Sequence, residues 1–254
     1  MALPLALLVS VLIAALGWRL QALTAAGAAT ASVIGTAILG GTGWAGLATL
    51  GIFFAGASAI SRAAPDRPSA LDAKGSVRDA AQVLANGGPA ALGALVPGAG
   101  LWIVAASLAA AAADTWATSM GGWSRSSPRH ILTWRGVPAG TSGGVTLLGT
   151  IGALIGAVTV AGGAALVTGS VRLLAAAIAL GMLGMLADSV LGATLQGRFH
   201  CDDCGLATER RTHRCGGLSR LTAGIAWVDN DGVNALATTL AAIAGYLAWR
   251  AWGP

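Results

Sequence analysis

Long apolar runs separated by short polar segments dominate the pattern of the chain. Crossing a hydrocarbon core of about 30 Å takes roughly 20 helical residues, and eight runs reach or approach that length. No positive charge precedes the first run and no A-x-A-like site ends it, so it is a span and not a signal peptide. The predicted transmembrane helices are about Leu3–Leu20, Leu23–Gly40, Trp44–Ile60, Ala80–Val96, Leu101–Ser119, Gly143–Gly163, Leu173–Gln196 and Val233–Trp249.

Composition supports a membrane protein. Of 254 residues, 55% are hydrophobic and 10% are charged, and the mean hydropathy is +0.73. A soluble domain carries about a quarter of charged residues. We therefore predict an all-α fold class, a polytopic membrane helix bundle that forms a single integral membrane domain over residues 1–254.

The Lys and Arg residues divide unequally between the two ends of these spans. In the eight-span arrangement all 15 except Arg172 and Arg250 fall on one side. Short loops rich in Lys and Arg stay in the cytoplasm. We therefore expect a multi-pass cell-membrane protein with both termini outside and with cytoplasmic loops at about 61–79, 120–142 and 197–231. The high isoelectric point reflects this topology, and no interleaving of aromatic and basic residues indicates nucleic-acid binding.

Several carboxylates lie in or at the ends of the apolar helices. A carboxylate at the centre of a membrane helix costs about 3 kcal/mol on insertion scales, so such residues are functional candidates. A helix cap or an ion pair with Arg explains each one equally well when it is taken alone, whereas the whole set favours a function. The set consists of Asp79, Asp114, Asp188, Asp229 and Asp231.

Amide and basic side chains accompany these carboxylates at helical spacing. Carboxylates and amides that converge on one membrane face favour a hard cation, and Mg²⁺ bound by Asp oxygens and by substrate phosphates fits best. Gly184 and Gly192 flank Asp188 by one turn on each side, which fits either the approach of a ligand or a helix-packing seam. The accompanying residues are Arg78, Gln82 and Asn86 in the fourth span, and Asn230 and Asn234 in the last.

A glycine-rich loop, VPAGTSGGV, occupies residues 137–145. A Gly-rich turn that opens a helix exposes N–H groups at the positive end of the helix dipole, where phosphate binds. The loop does not match G-x4-G-K-[ST], and helix packing also explains many such runs. Its position after a basic cytoplasmic segment favours phosphate binding by Gly140, Thr141, Ser142, Gly143 and Gly144.

Five ordered blocks resemble those of a known family. They are KGSVRDAAQVLANGG (74–88), AAADTWATSMG (111–121), VPAGTSGGVTLLGT (137–150), LGMLADSVLGATLQ (183–196) and WVDNDGVN (227–234). They resemble the integral membrane family that contains plant phytyl-phosphate kinase and the animal transmembrane protein 19. The resemblance implies a CTP-dependent kinase that converts an isoprenyl monophosphate, of the phytyl or geranylgeranyl type, to the diphosphate.

The chemistry of that reaction fits the residues present. An isoprenyl phosphate is largely ionised at neutral pH, with a second pKa of about 6, so positioning and charge neutralisation replace a strong base. His130, His200 and His213 accordingly all fall in loops. We assign Mg²⁺ binding to Asp114, Asp188 and Asp229, phosphate binding to the Gly-rich loop with Lys74 and Arg78, and orientation to Gln82, Asn86, Asn230 and Asn234; the three Asp residues and Arg78 are the catalytic candidates.

Two further function classes stay open. A cytidylyltransferase that makes a CDP-lipid would also use CTP, although such membrane enzymes carry K-[ST]-x-E-G where this chain has GTSGG. A transporter would place charges in Gly-broken helices but would show an inverted repeat, which this chain lacks. The sequence leaves the oligomeric state open, a homodimer included.

A Cys/His cluster forms a separate candidate site. Four residues with side chains that bind Zn²⁺ lie close together in the last cytoplasmic loop, where a disulfide is not expected. The sequence leaves a structural Zn²⁺ and free thiols as alternatives. The four residues are Cys201, Cys204, His213 and Cys215.

Overall fold

Helices account for most of the chain in the computed structural model, which describes residues 2–65 and 75–253. Within these ranges there are seven: α1 (Leu3–Arg19), α2 (Ala25–Ala63), α3 (Ala80–Ala94), α4 (Gly100–Gly121), α5 (Leu147–Thr168), α6 (Val171–Thr194) and α7 (Asn230–Trp252). Five of them, α2 and α4 to α7, are long and apolar enough to cross a membrane. The predicted fold, a polytopic helical membrane protein, is confirmed. Of the other two, α1 is apolar but has 17 residues, and α3 has 15 and contains Pro89.

The second and third predicted spans lie in a single helical element. A straight helix of 39 residues would be about 58 Å long, nearly twice the hydrocarbon core. The helix is interrupted at Gly43, whose φ of 67° and ψ of −157° are accessible to glycine. Both ends of α2 meet Arg78: Thr24, its N-cap, donates its N–H to the Arg78 carbonyl at 3.0 Å, and Ser58 accepts from the Arg78 guanidinium at 2.8 Å. The two halves of α2 therefore run back along each other.

Helix α4 forms the centre of the bundle. Its residues from Trp102 to Ala113 are buried, and α2, α3, α5, α6 and α7 all pack around it. Small residues permit this close packing. For example, a Cβ added to Gly184 of α6 would lie 2.4 Å from the Cβ of Ala110. Of the two readings of Gly184, the structure therefore supports the packing seam.

Short strands occupy the polar segments that separate the helices. A two-stranded sheet joins β1 (Arg129–His130) to β2 (Gly144–Val145), and an antiparallel sheet of order β4-β3-β5 is built from β3 (Arg198–Cys201), β4 (Leu206–Thr208) and β5 (Ser219–Ala223). The prediction of an all-α chain missed these strands because they are two to five residues long. Gly197 donates its N–H to the Val228 carbonyl at 2.8 Å, which ties the larger sheet to the segment that leads into α7.

Candidate active site at the basic end of the bundle

A narrow, closely packed crevice with a polar lining lies where α3, α4, α6 and α7 meet. Its polar lining residues come from four different helices, and Ala110, Ala111, Gly184 and Ala237 complete its walls. At a rise of 1.5 Å per residue, the α4 and α6 contributions lie roughly 10 Å before the ends of their helices. The polar lining residues are Asn86, Asp114, Asp188, Asn234 and Thr238.

Acceptor oxygens crowd into this crevice. The carboxyl groups of Asp114 and Asp188 face each other within hydrogen-bonding reach. The Asp188 Oδ1 and Asn234 Oδ1 atoms are buried and receive no hydrogen bond from any residue in the described ranges. A buried acceptor without a donor costs about 1–3 kcal/mol. An oxygen-only set of two carboxylates and one amide suits Mg²⁺, which would offset that cost.

The start of α7 differs from the prediction. Asp229 is the N-cap of the helix, is exposed, and accepts the N–H of Gly232 at 2.9 Å. Asn230 is also exposed. The structure therefore does not bring either residue to the crevice, whereas it does bring Asn234. An N-cap residue precedes the first helical turn, so its side chain bends back onto the helix end.

Two residues that sequence reasoning left without a role lie on the inner face of α7. Asp231 and Thr238 are both buried and share that face with Asn234, because positions i, i+3 and i+7 of a helix align. The Thr238 hydroxyl donates to the Ala85 carbonyl at 2.8 Å, which joins α7 to α3 beside the crevice. The i, i+3, i+7 spacing of polar residues is the signal that would have identified both.

The polar residues around the start of α3 are mostly engaged elsewhere. Asp79 accepts the N–H of Gln82 at 2.9 Å, and the Gln82 side chain accepts the N–H of Asp79 at 3.2 Å. This capping box occupies Gln82. The Arg78 guanidinium binds Ser58 and lies 5.7 Å from the centre of the Phe54 ring, so it faces α2 and not the crevice. Of the predicted residues here, Asn86 lines the crevice and Lys74 lies outside the described residues.

The Gly-rich loop docks on α6 next to the acidic crevice. Gly143 has a φ of +77°, and a Cβ there would lie 2.5 Å from the Cβ of Ala193 and 2.9 Å from the Ser189 carbonyl oxygen. Only glycine fits so tight an approach in this conformation. Because Ser189 and Ala193 follow Asp188 in α6 by one and five residues, the loop contacts α6 about one helical turn further along the helix axis than Asp188.

Only part of the loop offers free backbone donors. The N–H of Thr141 bonds to the Pro138 carbonyl at 3.2 Å, and that of Gly144 bonds to the Thr141 carbonyl at 2.9 Å. Of the five loop residues 140–144, Gly140, Ser142 and Gly143 have N–H groups that meet no acceptor among residues 2–65 and 75–253. They are therefore the backbone donors that remain for an anion. The first turn of α5 is instead capped by Thr146, whose hydroxyl accepts from Gly149 at 3.0 Å.

The four Cys and His residues of the last loop come together as predicted from their spacing. Their ligand atoms all lie within 4.8 Å of one another. Hydrogen bonds from Cys204 and His213 lower the pKa of the Cys215 thiol to about 6. The donor atoms of this cluster are sulfur and nitrogen, whereas those of the crevice are oxygens.

An acidic crevice inside a bundle of apolar helices, with a Gly-rich loop packed on one of them, defines a polytopic membrane protein with a buried polar site. The chain belongs to the integral membrane protein DUF92 family, whose model matches residues 8–242. The resemblance predicted from the five blocks is thereby confirmed at the level of the family.

Two curated relatives are similar to this chain. An uncharacterized membrane protein of Methanocaldococcus jannaschii is 31% identical over 169 residues, which cover 65% of this chain and 71% of that protein. Protein PGR of Arabidopsis thaliana is 34% identical over 134 residues, which cover 48% of this chain and 45% of the plant protein. The match thus spans less than half of the plant relative. No solved structure gives a significant match.

Proposed function

We propose that this protein is a Mg²⁺-assisted kinase that uses CTP to convert an isoprenyl monophosphate, of the phytyl or geranylgeranyl type, to the diphosphate. The observation that carries the proposal is the juxtaposition of Asp114 and Asp188 with a Gly-rich loop docked one turn away on α6. Phosphoryl transfer needs a metal site and anion donors side by side. The choice of CTP and of an isoprenoid comes from the family resemblance.

The roles of individual residues follow from their positions. Asp114, Asp188 and the Asn234 amide oxygen would hold Mg²⁺, which supplies charge neutralisation on the phosphates. The Ser142 and Gly143 N–H groups would bind a phosphate oxygen at the same end of the bundle. No general base is required because the attacking isoprenyl phosphate is already an anion.

The membrane arrangement is part of the proposal. We place the turn at Gly43 outside the cell, so that α2 supplies two crossings and the chain makes eight, with both termini outside. The crevice then lies at the cytoplasmic side of the cell membrane, where CTP is available, and the isoprenyl chain remains in lipid. This arrangement predicts that Arg172→Cys reacts with an impermeant maleimide on intact cells, whereas Arg129→Cys does not. Labelling of Arg129→Cys from outside would contradict it.

Position-specific labelling of CTP tests the reaction. Purified protein is incubated with phytyl phosphate and CTP labelled at either the γ or the α phosphorus. A kinase transfers the γ-phosphoryl group and releases CDP, so only γ label enters the lipid. A cytidylyltransferase would instead place α label in the lipid. If neither label enters the lipid, with geranylgeranyl phosphate as well, the proposal is wrong.

A further inference from the structure

The Cys/His cluster lies on the three-stranded sheet between α6 and α7. Cys201 ends β3, Cys204 follows in the turn to β4, and His213 and Cys215 lie in the segment that leads to β5. All three cysteines are free thiols. The cluster therefore draws its members from two chain segments that only the fold brings together.

The distances within the cluster match a tetrahedral metal site. The two sulfurs of Cys201 and Cys215 are 3.6 Å apart. His213 Nδ1 lies 3.4 Å from the Cys204 sulfur and 3.3 Å from the Cys215 sulfur. With Zn–S of about 2.3 Å and Zn–N of about 2.0–2.1 Å, tetrahedral geometry separates two sulfurs by about 3.8 Å, and a sulfur from a nitrogen by about 3.5 Å. These three of the six ligand–ligand distances are thus close to the edge lengths of such a tetrahedron, and all four ligand atoms lie within 4.8 Å of one another.

Two members of the cluster flank, in sequence, a residue that contacts the Gly-rich loop. Glu209 lies in the chain between Cys204 and His213, immediately after β4. The Ser142 hydroxyl donates a short hydrogen bond to Glu209 Oε1. A cross-link that fixes both flanks of this segment restricts where Glu209 can go. The Ser142–Glu209 hydrogen bond therefore links the Gly-rich loop to the segment that the cluster flanks.

We propose that Cys201, Cys204, His213 and Cys215 bind one structural Zn²⁺, and that the metal holds Glu209 against Ser142 and so fixes the Gly-rich loop over the acidic crevice. The second half of this proposal bears on the proposed kinase, because the loop is its phosphate-binding element. The zinc site itself does not depend on the activity. Four protein ligands leave no open coordination position, which is typical of structural and not catalytic zinc.

Metal content tests the first half. Detergent-purified protein should contain about one Zn²⁺ per chain, as a four-ligand site requires. Cys204→Ser and His213→Asn should lose it. His200→Asn is the matched control, because His200 lies on β3 next to Cys201 but outside the cluster, and it should retain full zinc. Reduced wild-type protein without zinc, or equal loss in His200→Asn, would overturn the site.

Hydrogen–deuterium exchange of residues 140–144 tests the second half without substrate or turnover. Removing zinc from wild-type protein with a chelator should speed exchange in this loop, and adding zinc back should restore it, which excludes irreversible unfolding. Glu209→Ala, which removes the acceptor of the Ser142 hydroxyl, should keep its zinc but show faster loop exchange, whereas His200→Asn should leave the loop unchanged. Unchanged exchange after zinc removal would refute the coupling. Because no nucleotide is used, these outcomes stand whether or not the kinase activity is found.

Discussion

The crevice and the loop layer bring polar groups together in opposite ways. The loop layer comprises the two strand-containing segments, residues 122–146 and 195–229. In the crevice, Asp114, Asp188 and Asn234 come from three long helices, and Ala and Gly residues let those helices approach closely. In the loop layer, Cys201 and Cys204 are neighbours in sequence, and short strands hold them. The crevice offers hard oxygen ligands with buried unmatched acceptors, as a site for Mg²⁺ and phosphate requires. The loop layer offers a closed set of soft ligands, which suits a structural metal.

Because of this difference, we expect substitutions in the two regions to have different effects on function and on folding. The carboxylates of the crevice do not stabilise the fold, since buried carboxylates that face each other repel and lose hydration. Groups in the loop layer hold that layer together. A change in the crevice should therefore remove function and spare folding, whereas a change in the loop layer should first alter order.

The largest effect is expected for Asp114→Asn. The substitution keeps the shape of the side chain but removes a charge that offsets Mg²⁺, so turnover should fall by orders of magnitude. It also relieves repulsion with Asp188, so the melting temperature of the metal-free protein should stay the same or rise. Turnover and thermal unfolding are measured on the same preparation. Near-normal turnover would remove Asp114 from the site.

A control on the same helix separates the site from the bundle. Ser107 is fully buried in α4, and its hydroxyl has no partner within the described part of the chain. Ser107→Ala should leave turnover unchanged, since it removes no ligand and fits the packing. A loss in Ser107→Ala as large as in Asp114→Asn would mean that turnover reports the packing of α4 and not the chemistry of the crevice.

The second-largest effect is expected where the Gly-rich loop contacts α6. Gly143→Val places a β-branched side chain at a φ of +77° and against Ala193. The left-handed conformation alone costs about 1–2 kcal/mol for a residue other than glycine, so the loop should leave α6. The KM for CTP should rise along with the loss of kcat. Gly136→Val is the control, because Gly136 has no atom within 4 Å of its Cβ position and lies in the same segment. Equal effects of the two variants would contradict a special role for Gly143.

The sequence predicts those features of the two regions that depend on a single segment of the chain. The hydrophobic runs identify the helices because lipid imposes length and apolarity on each segment separately. The sequence identifies Asp114 and Asp188, which the structure brings together in the crevice, because a carboxylate in a membrane span is conspicuous. The sequence also places the break in α2, since the second and third predicted spans end at Gly40 and begin at Trp44, on either side of Gly43.

Three residues that the sequence assigned to the site lie outside the crevice for the same reason. Arg78, Gln82 and Asp229 stand beside polar neighbours in sequence, but each is used locally or by an adjoining helix, as a cap or as a partner of α2. A polar residue at the start of a helix can cap that end or face the bundle interior. Which of the two it does depends on the phase of the helix, that is, on how the helix is rotated about its own axis. That phase follows from packing, which brings Asp231 inward.

The smallest effect is expected at the start of α7, where three substitutions of Asp229 and Asp231 test directly which of these side chains faces the bundle interior. Asp229 caps α7 from an exposed position, and asparagine is an equally good cap, so Asp229→Asn should leave both stability and turnover nearly unchanged. Asp229→Ala should lower the free energy of unfolding by about 1 kcal/mol without affecting the Mg²⁺ dependence of turnover. Asp231→Asn, two residues further and buried beside Asn234, should instead raise the Mg²⁺ concentration needed for half-maximal rate. Titration of activity with Mg²⁺ on the three variants distinguishes the two carboxylates. If Asp229→Asn shifts the Mg²⁺ dependence and Asp231→Asn does not, the metal is bound at the rim of α7 and not in the crevice.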